Sequence, residues 1–202
     1  VYSGPVAASG YARLAPLAGR IRRVVLLGPV HRVPVRGLAL PGATTFSTPL
    51  GEVRDFELEV VMKVVGNNSG VQYRSTDFEP VRLRGPQIDA HPAPNYVAMC
   101  YEEGGRGILA EHGFRTVIAS DGTRTTTPIE RAGPSPDISD WRTYRVVAKG
   151  NAMRHALDGL PTAALVDDSK DAPKGANIGI QIHAGEPTEV RVRKLRLRRL
   201  DG

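Results

Sequence analysis

Amides, a carboxylate and guanidinium groups recur two residues apart in the middle of this chain, and that spacing decides which of them can act together. In "GVQYRS" Gln72 and Arg74, and in "GPQIDA" Gln87 and Asp89, each pair share one face of any extended strand. Tyr101, Glu102, Glu103 and Arg106 follow in "YEEGGRG". A planar amide, a carboxylate and a guanidinium around an aromatic ring make a sugar-binding set, because polar groups satisfy hydroxyls while the ring covers an apolar sugar face. The competing reading is as concrete: the polar faces are solvated, and "EEGGR" is a hairpin turn with a surface ion pair of little energetic worth. Two histidines bear on proton transfer. His155 in "AMRHALDG" shares a face with Met153 and Leu157, which reads as an imidazole at the edge of the core. Gln181 and His183 in "GIQIHAG" share a face opposite Ile180 and Ile182, and such a polar pair on an apolar strand calls for a ligand, a metal or a neighbouring sheet.

These residues must be held by strands. From Asp55 onward the pattern has period two, with Phe56, Leu58, Val60 and Met62 on one face of "DFELEVVMKVV". Further candidate strands are "GVQYRS", "YVAMCYEE", "GILAEH", "RTVIAS", "WRTYRVVAKG", "AMRHALDG", "LPTAALVDD", "ANIGIQIHAG" and "EVRVRKLRLRRL"; "GPQIDA" reads as a strand or an extended loop. Turns at intervals of about 8 to 12 residues predict a sandwich or barrel. "GNNSG" between the first two strands supplies residues that tolerate positive φ and predicts a hairpin. A slip in alternation at Arg193-Lys194 predicts a β-bulge. Before Asp55 the grammar differs: an amphipathic helix over Tyr2 to Arg20, then a buried strand in "IRRVVLLGPV".

Composition narrows the function. The net charge is +6, but the 27 basic residues are 22 Arg and 5 Lys, scattered without interleaved aromatics. That is a compositional bias, not the clustered stripe of a nucleic-acid binder, so nucleic acid is not an expected partner. The single cysteine, Cys100, builds neither an intramolecular disulfide nor a thiolate zinc site. "VVLLGPV" is far shorter than the ~18 to 20 residues of a membrane span, so no membrane partner is expected. The first residues show no signal-peptide pattern and read as a cut into a longer protein, which leaves localisation open.

Seven blocks in order, "DFELEV", "GNNSGVQYRS", "GPQIDA", "YEEGGRGILAE", "WRTYRVVAKGNAMRHALDG", "GIQIHAG" and "VRVRKLRLRRL", resemble the 3-keto-disaccharide hydrolase domain family over about residues 55–200. The resemblance implies a mainly β fold, a concanavalin-like jelly-roll sandwich of antiparallel strands over 54–202, in a family often exported. It also implies that the "GNNSGVQYRS" region lines a concave, sugar-binding face, which favours Asn68, Gln72 and Arg74 as hydroxyl or carbonyl partners beside Gln87, Tyr101, Arg106 and Gln181. The implied substrate is a glycoside or oligosaccharide oxidised to a ketone at carbon 3; a base removes the acidified proton on carbon 2, the group on carbon 1 is expelled, and water adds afterwards. His155, His183 and Asp89 are the expected catalytic groups, with His155 or His183 as the base. Arg74, Arg106 or one divalent metal ion held by Asp89 and His183 would stabilise the developing oxyanion. Residues 1–53, through "IRRVVLLGPVHRVPVRGLALPGATTFSTPLGEV", resemble an internal piece of the Memo-like family, in which the position of His31 is similar to one metal ligand. With the other ligands lacking, His31 reads as a relic or a surface residue, and the chain as a chimera joined between Thr48 and Asp55. The family's opening strands would then be replaced, leaving sheet edges to be covered by "ATTFSTPLGEV", by "VVLLGPV" or by a second copy of the chain. The rival functions are a non-catalytic carbohydrate-binding module and an inactive chimera that has lost part of its cleft.

Overall fold

The computed structural model of the chain describes residues 55–79 and 82–200, and all regular structure among them is β. In chain order the strands are β1 (Phe56–Val65), β2 (Ser69–Glu79), β3 (Arg82–Ala90), β4 (Cys100–Glu103), β5 (Gly107–Ala110), β6 (Phe114–Ile118), β7 (Arg124–Pro128), β8 (Arg142–Lys149), β9 (Ala152–Leu157), β10 (Leu160–Asp167), β11 (Asn177–Ile180) and β12 (Glu189–Arg199). They form a seven-stranded sheet, β12-β1-β8-β9-β10-β6-β7, and a five-stranded sheet, β11-β2-β3-β4-β5. Neighbours pair antiparallel, except β10 with β6, which run parallel. The mainly β sandwich expected from the period-two pattern is therefore present. The helix and strand expected over residues 2–30, His31, and the edge patch in 43–53 lie outside the described residues.

Alternation builds the core. Phe56, Leu58, Val60, Met62 and Val64 of β1 face inward with Tyr144, Val146 and Ala148 of β8, while Val71 and Tyr73 of β2, Ile88 and Ala90 of β3, and Cys100 of β4 meet them from the other sheet. Each large inward side chain removed from water contributes about 1.5–3 kcal/mol. Glu57, between two inward residues, points the other way and pairs with Arg145 at 2.9 Å on the outer surface. On the β11–β12 side the cover is thinner: Leu195 stays 44% exposed and Ile182, just past β11, 66%. No helix among the described residues is long and apolar enough to cross a membrane.

Two local expectations fare differently. "GNNSG" does not close a hairpin: β1 pairs with β12 and β8, whereas β2 pairs with β3 and β11, so the segment carries the chain from one sheet to the other. The physical reason is that β1 and β2 each have one apolar face, and stacking face to face buries both where edge pairing would set them side by side. Gly66, with φ of 106°, makes the sharp departure, and a Cβ there would lie 2.2 Å from the Pro187 carbonyl oxygen. The bulge in β12 is where alternation slipped: Val61 pairs with Lys194 and Met62 with Val192, leaving Arg193 as the extra residue.

Because Leu58 is enclosed by both sheets, Leu58→Ala should cost about 2–5 kcal/mol of stability, read as a lower denaturant midpoint at unchanged slope. A loss below about 1 kcal/mol would contradict the packing described.

Candidate functional site

The site is built by the residues of the five-stranded sheet that alternate with its core. In β3, Ile88 and Ala90 point into the sandwich, so Gln87 and Asp89 stand on the outer face. Register lines up their neighbours: Gln72 and Tyr101 flank Gln87, and Gly70 lies beside Asp89. Gly70 matters because it lacks a side chain. A Cβ there would sit 2.2 Å from the Gln87 Cδ, so the glycine leaves room for the Gln87 amide to lie across β2.

That amide joins a chain of polar contacts. Gln87 Nε2 donates to Asp89 Oδ1 at 2.7 Å and to Gln181 Oε1 at 3.2 Å, and Gln181 Nε2 donates to Glu103 Oε2 at 3.1 Å. Gln181 is placed by its own backbone N–H, which donates to the Gly70 carbonyl at 2.9 Å. Gln87 and Asp89 are only 2% and 3% exposed. Even so, Gln87 Oε1 and Asn68 Oδ1 are buried acceptors with no donor among the described residues. A hydroxyl-rich ligand carries the donors such atoms need.

Burial pushes the Asp89 carboxyl up to about 7; the Gln87 hydrogen bond pulls it down and the like charge of Glu103 pushes it up again. A carboxyl group there is divided between acid and base forms near neutrality. Tyr101, on the same face, has its phenol raised by burial, then by Glu103 and Asp89, and so remains a hydrogen-bond donor. His183 stands at one end of the group, its Nδ1 2.6 Å from the Ala184 carbonyl oxygen and 3.2 Å from Asn67 Nδ2. His91 belongs to the same end: burial, then the charge of His183, lowers its imidazole.

Gln72, Gln87, Asp89, Tyr101 and Gln181 are thus gathered on one sheet, with Asn68 and His183 at its end, and three expected site residues are not. Arg74 does not share a face with Gln72. It takes a left-handed φ of 46° in the irregular stretch between Gln72 and Thr76, and its guanidinium donates to the Gly150 carbonyl at 2.7 Å and pairs with Asp55 at 3.4 Å. Arg106 lies in the turn of the β4–β5 hairpin but points inward, bound to Glu102 at 2.6 Å and to Asp167 of the other sheet at 2.7 Å. Burial opposes its charge, and the two carboxylates outweigh burial and raise its pKa. His155 is 2% exposed inside the core, where burial lowers it to about 4 against the pull of the Ala98 and Met99 carbonyls. It touches Tyr73 and backbone, and meets no outer-face group.

The expected Asp89–His183 metal pair gathers no further donors among the described residues. Among the described residues no three His, Cys, Asp or Glu side chains converge, and an Asp89 oxygen is already engaged by the Gln87 amide. Metal sites in proteins generally take more ligands than two. Two members of the site went unread in the sequence. His91 continues the period-two series Gln87, Asp89, His91 and could have been found by extending it. Asn67 sits in the inter-sheet connection, where spacing gives no orientation.

Residues 31–198 match the family model of the 3-keto-alpha-glucoside-1,2-lyase-like domain. The match begins upstream of the expected junction at 48–55, and no comparison supports a Memo-like fragment or a chimera. No curated protein matches the chain. Among solved structures, a "putative glycosyl hydrolase" from Parabacteroides distasonis ATCC 8503 is similar at 16% identity and a TM-score of 0.46, covering 75% of each chain. The Caenorhabditis elegans galectin LEC-6 is similar at 16% identity and a TM-score of 0.40, covering 73% of this chain and 85% of that one.

The role given to Gly70 is testable. Gly70→Ala should displace the Gln87 amide and remove the hydrogen bond that lowers the Asp89 pKa, so the Asp89 carboxyl should titrate above about 7. Carboxyl carbon NMR over a pH series reads this directly; an unchanged or lower midpoint would show that the glycine does not make that room.

Proposed function

This chain belongs to the 3-keto-alpha-glucoside-1,2-lyase-like domain family, and from that premise we propose that it cleaves 3-keto-glycosides by eliminating the substituent on carbon 1, with water adding afterwards. The observation that carries the reading is a buried carboxyl, raised to about 7, on a polar sheet face of amides and a phenol. A ketone at carbon 3 acidifies the carbon 2 proton, and a base poised near working pH is what its removal needs.

Asp89 in its ionised form takes that proton, and the electron pair becomes an enolate on the carbon 3 oxygen. The Tyr101 phenol and the second N–H of the Gln181 amide are the donors suited to the oxyanion, in place of Arg74 and Arg106, whose charges are spent elsewhere, while the open Gln87 Oε1 accepts from a sugar hydroxyl. When the enolate collapses, the ketone re-forms, a carbon 1–carbon 2 double bond appears, and the carbon 1 oxygen leaves with a proton. His183, two residues beyond Gln181, is the group assigned to supply it. Water then adds across the double bond at carbon 1. This route needs no pair of carboxyls at fixed separation, unlike an oxocarbenium glycosidase.

A second reading has its own observation. Gln87 and Asp89 are almost wholly buried, which favours a carbohydrate-binding module that holds a sugar without turning it over. Retention of a 3-keto-glucoside with no product formed would select it.

Turnover of methyl 3-keto-α-glucoside, followed by chromatography, tests the proposal. Asp89→Asn should lower kcat by about 10²–10⁴-fold, and the wild-type rate should rise with pH through about 7, a limb absent from the variant. Stability has the opposite slope. The native carboxyl, raised from 3.8 to about 7, holds its proton where the unfolded chain has lost it, so wild-type stability falls as pH rises across that window. Asp89→Asn should therefore raise Tm at about pH 8 relative to wild type. Full activity in the variant would remove Asp89 from the mechanism.

A further inference from the structure

The polar groups buried inside the sandwich are not used by the proposed chemistry, yet they touch the segment that holds Asp89. We propose that His155, assisted by Thr162, is a positioning residue for Asp89, acting from the opposite sheet through the 96–99 turn. The inference rests on Asp89 being the base.

Asp89 is fixed through its backbone as well as its side chain. Its carbonyl accepts from Ala98 N–H at 2.7 Å, and its N–H donates to the Met99 carbonyl at 3.2 Å. The turn that makes both bonds has an uncommon backbone: Ala98 has φ of 53°, and a non-glycine residue in the left-handed region persists only where its surroundings hold it. The surroundings here come from the seven-stranded sheet. His155 Nδ1 of β9 lies 3.3 Å from the Ala98 carbonyl oxygen and 3.2 Å from that of Met99, and Thr162 Oγ1 of β10 donates to Ala98 O at 3.1 Å. Both neighbours of Nδ1 are acceptors, so Nδ1 carries the proton and Nε2 is bare. The Tyr73 hydroxyl, 2.6 Å away, donates to that bare nitrogen and lies 3.7 Å from Cys100 Sγ. One imidazole thus touches two parts of the facing sheet, and a third through the Tyr73 hydroxyl. Tyr73 is next to Gln72, Cys100 is next to Tyr101, and Ala98 and Met99 hold Asp89.

The test separates a donor role from volume. His155→Asn keeps an N–H where Nδ1 stands, whereas His155→Leu fills space without one. Amide hydrogen exchange at Asp89 and Ala98, referred to Val146 in the core, needs no substrate. His155→Leu should speed exchange at both by about tenfold or more, and His155→Asn should leave them near wild type. On methyl 3-keto-α-glucoside, His155→Leu should lower kcat by about tenfold or more with KM little changed, and His155→Asn should restore most of it. Unchanged relative exchange in His155→Leu, or equal losses in the two variants, would overturn the proposal. Should His155→Leu fail to fold, Thr162→Val carries the same readout at Ala98, faster exchange supporting the proposal and unchanged exchange ending it. Absence of turnover in the wild type would defeat the reading of Asp89 as a base, while the exchange results would still decide whether His155 holds it in place.

Discussion

A carboxyl group removed from water and answered by an amide, with no cation paired to it among the described residues, is the constraint from which the candidate site follows. Such a group is expensive to ionise, and a guanidinium within reach would lower its pKa and fix its charge. The cations nearest to it in sequence are engaged with other groups: Arg84 lies over the Phe78 ring, Arg82 pairs with Glu103, Arg74 with Asp55 and the Gly150 carbonyl, and Arg106 with Glu102 and Asp167. What remains around Asp89 is the Gln87 amide, which donates to it without imposing charge and also donates to Gln181, with the like charge of Glu103 beyond. The glycine at position 70 is part of the same constraint, because any side chain there would occupy the space of the Gln87 amide.

The five-stranded sheet divides its labour by parity. Along β2, β3 and β4, one residue packs the sandwich and the next carries a candidate chemical role: Tyr73 beside Gln72, Ile88 between Gln87 and Asp89, Cys100 beside Tyr101. A change meant for one face therefore strains the other, since the backbone between them is shared. Two buried groups also titrate in opposing senses. As pH falls from about 7 towards about 4, native Asp89 gains a proton that unfolded chain lacks, while native His155 refuses one that unfolded chain gains below 6.5. The first effect favours the folded state and the second opposes it.

How much of this could be read beforehand depended on whether a residue's orientation is local. The faces of β1 and β3 follow from alternation alone, so Phe56 through Met62, and the pairing of Gln87 with Asp89, were legible in the sequence. So was the bulge at Arg193, because a slip in period two leaves a visible mark. The connection at Gly66 was misread: a glycine-rich turn between two strands looks the same whether the strands pair or stack, and only the tertiary arrangement decides. Arg74 was misplaced because one left-handed residue breaks the parity on which its face depended. Arg106 finds Asp167 and His155 finds Tyr73, contacts 61 and 82 residues apart in the chain, for which spacing offers no signal.

The pairing of β1 with β12 sets the order in which the molecule can be completed. Phe56 lies opposite Arg199 and Val65 opposite Glu189, so one flank of β1 waits for strand residues that emerge from the ribosome more than a hundred positions later. Its other flank waits for β8. The hairpins of the five-stranded sheet, by contrast, join neighbours in sequence and can form early. During synthesis the apolar face of β1 is thus left with an unclosed partner sheet, a slow, non-local assembly in which nascent chains are vulnerable to sticking to one another.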